Sequence, residues 1–191
     1  MEAWDDLYVE LSTTIKEKLP EVEWVDLWHD QVAYLTDELP FPTPALFLSF
    51  NTLGCDDKGL LIQDCDTQID MYLFYETFSD TYQGSYNQGS ALEFLRTLTK
   101  IHQTFHGKSG VNYGTLRRVG MGKEESGGAG NLYRISFGCV IEDSSAKVDY
   151  PDKPVSDIAV ESSKIERPKV IDDNPLFIVD AKSKKGIESP F

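Results

Sequence analysis

The chain has 191 residues, of which 40% are hydrophobic and 12% aromatic, and this composition excludes a fully disordered protein. Its 18 basic and 32 acidic side chains give a formal net charge of −14. Such a balance opposes nonspecific nucleic-acid binding, which needs a cationic surface to displace counterions from phosphates, and it opposes docking on an anionic membrane.

The charge is segregated along the chain. Residues 1–80 contain 18 acidic and 3 basic side chains, a net charge of −15. Residues 81–141 contain 3 acidic and 7 basic side chains, a net charge of +4, and residues 142–191 carry −3. This polarity fits either a solvated surface or head-to-tail self-assembly, in which the basic part of one subunit meets the acidic part of the next.

The N-terminal part of the chain predicts a helix and two strands. Apolar side chains recur three or four residues apart over residues 5–19, which indicates a helix ended by Pro20. Residues 22–28 alternate with apolar groups on both sides, as in a strand with a partly buried second face. The proline-rich stretch 39–44 predicts a stiff extended connector, since proline fixes φ, and residues 45–50 predict a short apolar strand.

A cleanly alternating strand is predicted over residues 68–76, after an acidic loop that runs from Asp56 to Asp66. Its apolar face carries Ile69, Met71, Leu73 and Tyr75, and its other face carries Asp70, Tyr72 and Phe74. Because Tyr72 and Phe74 face away from the main helices, we expect them to cover something else, and aromatic side chains of this kind often anchor subunit contacts.

The second helix has the clearest local signals. Ser90 and Glu93 match a capping box, an apolar stripe continues to Phe105, and Gly107 supplies a left-handed stop. Strands are predicted over 113–119 and 132–141, with a flexible glycine-rich hairpin arm between them.

The element order α-β-β-β-α-β-β predicts an α+β fold. It consists of a mixed, largely antiparallel sheet of about four to five strands with two amphipathic helices packed on one face. We expect the body to span residues 1–142 and an extended, partly disordered tail to span 143–191, with an apolar island at 175–179.

The first residues lack the cationic and apolar pattern of a signal peptide, and the longest apolar stretch, 45–50, is too short to cross a bilayer. The cysteines, Cys55, Cys65 and Cys139, are odd in number and fit neither a CxxC nor a zinc spacing. Cys139 lies in an apolar alternation, which predicts a buried thiol. We therefore expect a reducing cytosol as the location.

No pattern in the sequence makes a strong catalytic, metal or cofactor site. His102 and His106 lie one helical turn apart but lack the glutamate of an HExxH motif, and cations suit the last turn of a helix. Asp64, Asp66 and Asp70 could hold a hard cation but do not match a calcium loop, so a solvated acidic surface is the simpler interpretation. The glycine-rich arm lacks the phosphate-loop spacing.

Arg117 and Arg118 are adjacent cations on a predicted strand, so they project to opposite faces. We expect one of them to reach the acidic loop or the first helix of a neighbouring subunit. The predicted inter-subunit contacts are Arg117, Arg118, Asp64, Asp66, Asp70, Tyr72 and Phe74.

The order of elements in the body resembles that of the tail-terminator, or tail-completion, proteins of long-tailed phages, including those of Mu-like prophages. The stretches that carry the resemblance are 39–50, 68–76 and the helix 91–105. The long tail after Ile141 departs from the compact pattern of that family.

This resemblance implies a nonenzymatic structural protein with no cofactor. Its expected partners are further copies of itself, in a hexameric ring that caps the finished tail tube, and the tail-tube and head-connector proteins. DNA would pass through a lumen with acidic or neutral walls, and the protein would occur in the host cytoplasm and then in the virion tail.

Two alternative functions stay open. One is an acidic adaptor for a basic partner, and the other is a metal-dependent enzyme that uses Asp64, Asp66, Asp70 and His102.

Overall fold

The computed structural model describes residues 4–34, 41–76, 80–126 and 130–147. The helices are α1 (Trp4–Lys18) and α2 (Gln88–Phe105). The strands are β1 (Trp24–Leu27), β2 (Ala45–Gly59), β3 (Ile62–Tyr75), β4 (Arg117–Glu124) and β5 (Asn131–Asp143), and a 3-10 turn covers Gln31–Tyr34. The predicted tail from residue 148 on, with its apolar island, lies outside the described residues.

The five strands form one sheet in the order β1-β2-β3-β5-β4. β1 pairs with β2 in parallel, and the other three pairs are antiparallel. β1 covers only the first four residues of β2, from Ala45 to Leu48. No other described strand pairs with this edge of β2, and we call the remainder of β2 its free part. β4 is the edge strand on the opposite side. The mixed, largely antiparallel α+β fold predicted from the sequence is confirmed.

Both helices pack on one face of the sheet, which we call the helix face. The periodicity of α1 buries Leu7, Leu11 and Ile15, and that of α2 buries Phe94, Leu98, Ile101 and Phe105. These side chains meet the apolar alternation of the strands, which contributes Leu46, Leu48, Ile69, Met71, Leu73, Ile135, Phe137 and Ile141. The burial of this apolar surface is the main force that holds the body together.

The opposite face of the sheet, which we call the second face, has a smaller apolar cluster of its own. The buried members are Val32, Phe41, Ala45, Phe47, Phe74 and Leu132, and Trp28 and Tyr72 pack against them. Val32 and Phe41 come from the chain between β1 and β2. The described parts of that connection therefore cover one end of the second face.

The predicted acidic loop is wrong, because residues 56–66 form the distal part of a long β-hairpin. The ladder between β2 and β3 continues from Ala45 and Phe74 to Gly59 and Ile62, with register shifts after Thr52 and Asp57. Local composition misled the prediction, since aspartates are rare in strands. Here the acidic residues extend a ladder that the apolar halves of both strands have already aligned.

The start of α2 also differs from the prediction. The helix begins at Gln88 after Asn87, so Ser90 lies inside its first turn and the predicted capping box does not form. At the other end Gly107 has φ 74°, which confirms the left-handed stop. β4 extends to Glu124, and therefore part of the predicted glycine-rich arm is strand.

Candidate interaction surface

The seven predicted contact residues lie mainly on the second face, and two of them are buried within their own chain. The Phe74 side chain is 0% exposed and the Asp70 side chain 2% exposed. Neither offers surface to a second subunit, so the predicted contact fails at these two positions. For Phe74 the reason is the second apolar cluster, and for Asp70 it is a hydrogen-bond network.

Asp70 lies at the centre of this network on the second face. The Ser136 hydroxyl on the neighbouring strand β5 donates to Oδ1 of Asp70. Nδ2 of Asn51 on β2 donates to Oδ2 at 3.1 Å, and Nε2 of Gln68 donates to both carboxylate oxygens at 3.0 Å. Donors from three adjacent strands thus converge on one buried carboxylate, which makes Asp70 a structural group.

Tyr72 is half-buried, and its ring stacks on Trp28 with centroids 4.2 Å apart and an interplanar angle of 9°. Desolvation raises the pKa of Tyr72, and the nearby Asp70 carboxylate raises it further. The pair forms one wall of an open cleft of about 1080 Å³ whose described lining includes Asp30, Lys123 and Glu124. The ring of Tyr72 therefore packs on Trp28 of its own chain, which explains why an aromatic side chain lies on the second face.

Asp64 and Asp66 lie on the second face of the distal hairpin. Asp64 contacts Nζ of Lys58 at 3.5 Å, and Lys58 also binds Glu142 of β5 at 2.5 Å. This lysine lowers the pKa of Glu142 through a hydrogen bond and its charge. Asp66 is exposed and lines a groove described below. Both aspartates remain available as predicted contact residues.

The metal-dependent alternative placed three aspartates and His102 in one site. Asp64, Asp66 and Asp70 alternate along the second face of β3, whereas His102 belongs to α2, which packs on the helix face. The sheet lies between them, so these residues do not form one site. Across the described ranges, no group of three or more His, Cys, Asp or Glu side chains is placed to hold a metal ion.

His102 and His106 lie side by side, with ring centroids 4.6 Å apart. Nδ1 of His106 accepts a hydrogen bond from the Arg118 backbone N–H at 3.1 Å, so this imidazole caps part of the β4 edge. Burial lowers the pKa of His102, and the charges of Arg118 and His106 lower it further. These effects disfavour the cationic form of His102 and so count against its interpretation as a helix-terminal cation.

Arg117 and Arg118 project to opposite faces, as predicted. Arg118 pairs with Phe137, which faces the helices, and Arg117 pairs with Gly138 on the second face. Both side chains are exposed. The sheet order places them on the edge opposite the free part of β2, which carries the exposed Asp56 and Asp57.

The structure also shows an exposed apolar groove that the sequence did not indicate. The groove, of about 580 Å³, lies on the second face where β2, β3, β5 and β4 meet. Its lining comprises Leu53, Gly54, Asp66, Thr67, Gly114, Thr115, Arg117, Val119, Gly138, Cys139 and Val140. Leu53, Val119 and Val140 are at least half exposed, and a Cβ at Gly54 would meet nothing within 4 Å. Because the lining comes from four strands, no single stretch of sequence reveals it.

The tip of the β2–β3 hairpin is a second exposed apolar feature. Leu60 and Leu61 form its turn, and the Leu60 side chain is 97% exposed. A pair of leucines inside an otherwise polar stretch is the sequence signal for this exposed tip. The prediction of an acidic loop over residues 56–66 took no account of it.

A disulfide joins Cys55 and Cys65, which lie opposite each other in the ladder of the distal hairpin. The odd number of cysteines and their spacing did not predict this pair, because the pairing depends on strand register. Disulfides are typical of oxidising compartments, so the cysteine pattern no longer supports the expected cytosolic location. The disulfide ties the two strands together below the exposed tip.

Cys139 is a free thiol that packs against the main core, although it is half-buried and not fully buried as predicted. Desolvation raises its pKa to about 11.

The thiolate is the reactive form, so native Cys139 is expected to react with iodoacetamide far more slowly at pH 8 than a free cysteine, with a rate that rises about tenfold per pH unit toward pH 11. Intact-mass kinetics check this. Native labelling as fast as that of the urea-unfolded protein would contradict it.

No protein-family model matches the sequence, and no curated protein matches it significantly. Within the part of the chain that the structure describes, no helix is both long and apolar enough to cross a membrane.

Proposed function

We propose that this chain is a structural subunit that assembles with copies of itself into a ring, and that the ring closes the end of a phage tail tube and joins it to the head connector. The observation that supports self-assembly is the placement of opposite charges on opposite edges of one sheet. Exposed Asp56 and Asp57 lie on the free part of β2, and exposed Arg117 and Arg118 lie on β4.

Complementary patches at two different places on a subunit support head-to-tail contact rather than a two-fold dimer. Such contacts close into a ring when the rotation between subunits is a fraction of a full turn. The role at the tail tube and the hexameric number follow from the resemblance to tail-terminator proteins, which covers the body of the chain. In this proposal the protein is not an enzyme and needs no cofactor.

The mass of the purified protein tests the proposal. We expect light scattering at high protein concentration to report a closed oligomer, and negative-stain images to show rings. A strict monomer at every concentration, with no ring on added tail tubes, would contradict the ring. Binding of such a monomer to a basic protein partner would favour the acidic adaptor instead, for which the exposed aspartates of β2 are the supporting observation.

Reversing both cations, Arg117→Glu with Arg118→Glu, is expected to weaken assembly at least tenfold in the concentration of half-assembly, because like charges then face each other. The monomer should keep its circular dichroism spectrum, since both side chains are exposed. Lys108→Glu on the exposed turn after α2 is a control for the reversal of a single exposed cation outside β4. An unchanged oligomer mass in the double variant would contradict the predicted contact.

A further inference from the structure

The distal part of the β2–β3 hairpin extends well beyond the point at which the edge strand β4 begins. Through the paired strands, Arg117 is level with Asn51 of β2, and the tip begins after Gly59, so the hairpin continues for roughly 25 Å beyond that level at about 3.3 Å per residue. The exposed tip therefore stands at the end of a paired ladder.

Two features of this hairpin hold its tip in place. The Cys55–Cys65 disulfide joins its strands, and Lys58 binds both Asp64 on β3 and Glu142 on β5. Ordering a side chain or loop on binding costs free energy, so a tip that is held before contact is suited to binding. Leu60 is 97% exposed at the end of this arm. Because its side chain has so few contacts within the chain, it contributes little to the stability of the fold.

The groove defined above has a shape and a charge that fit such a tip. Its lining includes Gly54 and Gly138 and exposes the side chains of Leu53, Val119 and Val140. The charged residues of its lining are Arg117 and Asp66, so a carboxylate on the occupant would have to pair with Arg117. Asp57, exposed beside the tip, has the charge that Arg117 would attract.

The tip cannot fill the groove of its own chain. Gly54 and Gly59 belong to the same continuous strand and are separated by roughly 16 Å at about 3.3 Å per residue. The pairing of β2 with β3 continues to Gly59 and Ile62, which prevents the hairpin from folding back. The Leu60–Leu61 tip can therefore reach such a groove only on another molecule.

We propose that the Leu60–Leu61 tip of one subunit inserts into the glycine-lined groove of the next copy, with Arg117 of the groove facing Asp57 beside the tip. This inference rests on the proposed self-assembly and identifies the contact that drives it. The contact is heterologous, since tip and groove lie at different places on each subunit, as a cyclic ring requires.

The first test changes the tip and the groove separately. Leu60→Ser is expected to raise the concentration of half-assembly at least tenfold and to leave the monomer's thermal unfolding unchanged. Gly54→Val fills the groove from the other side and should weaken assembly similarly, because a Cβ at this position meets nothing within 4 Å in the isolated chain. Val111→Ser removes an equally exposed apolar side chain, 91% exposed, and should leave assembly unchanged.

The second test locates the contact directly. A photoreactive benzoylphenylalanine at position 60 is expected to crosslink one subunit to the peptide of another that contains Val119 or Val140. Sedimentation of wild type and variants shows whether assembly occurs at all. If wild type assembles, but Leu60→Ser assembles equally well or the crosslink maps elsewhere, the tip contact is wrong and the proposed ring stands. If wild type stays monomeric with and without tail tubes, the ring and the tip contact are both wrong.

Discussion

Replacing Phe74 by alanine is expected to lower the free energy of unfolding by about 3–5 kcal/mol, the usual cost of truncating a buried phenylalanine. Phe74 is fully buried on the second face, where its ring meets Phe41 edge-on with centroids 6.0 Å apart and packs with Phe47 and Leu132. Truncation leaves a cavity that neighbours on a β-sheet cannot fill without moving the backbone. Urea unfolding at a concentration where the protein is monomeric measures the loss.

The control is Tyr86→Ala, because Tyr86 is a fully exposed aromatic residue, and its truncation should change stability by less than about 0.5 kcal/mol. This experiment separates the two interpretations of Phe74. A subunit-contact residue would affect assembly and leave monomer stability near that of wild type. Such a result would contradict the second apolar cluster as the reason for the place of Phe74.

Replacing Asp70 by valine is expected to cost about 2–3 kcal/mol of folding stability at pH 7, because the buried Ser136 hydroxyl loses its acceptor while Asn51 and Gln68 lose theirs. The carboxylate is almost completely buried, so water does not replace it. Chemical denaturation followed by tryptophan fluorescence measures the change.

The matched control is Asp66→Val, an exposed carboxylate on the same face of the same strand, which should change stability by less than about 0.5 kcal/mol. A double-mutant cycle with Ser136→Ala isolates the pair, and we expect a coupling free energy of about 1 kcal/mol or more. Equal effects of Asp70→Val and Asp66→Val would show that the network contributes nothing to stability.

Local periodicity was sufficient to predict the two helices, the helix face of the sheet and the fold class. The alternation Ile69, Met71, Leu73 places one side of β3 against the helices in any arrangement that buries apolar surface, and the stripe of α2 supplies the opposing layer. Gly107 was also predictable, because its left-handed φ follows from the chemistry of a helix end.

Several features of the candidate site were not predictable, because they depend on residues far apart in sequence. The acidic residues 56–66 are poor strand formers, yet the aligned apolar halves of β2 and β3 extend the ladder through them. The same register places Cys55 opposite Cys65 and brings Ser136 to Asp70. The unfavourable local propensity is outweighed by pairing that is already in place.

The sequence by itself determined the α+β class, the segregation of acidic and basic residues along the chain, and the opposite directions of Arg117 and Arg118. Each of these follows from composition or from a two- or three-to-four-residue repeat, which the backbone geometry converts directly into a face. Only the tertiary structure decided that the sheet has an acidic edge and a basic edge, that Phe74 and Asp70 are internal, and that a leucine tip and a glycine-lined groove are exposed. Strand order and register decide these features, and both are set by contacts between segments that are distant in the chain.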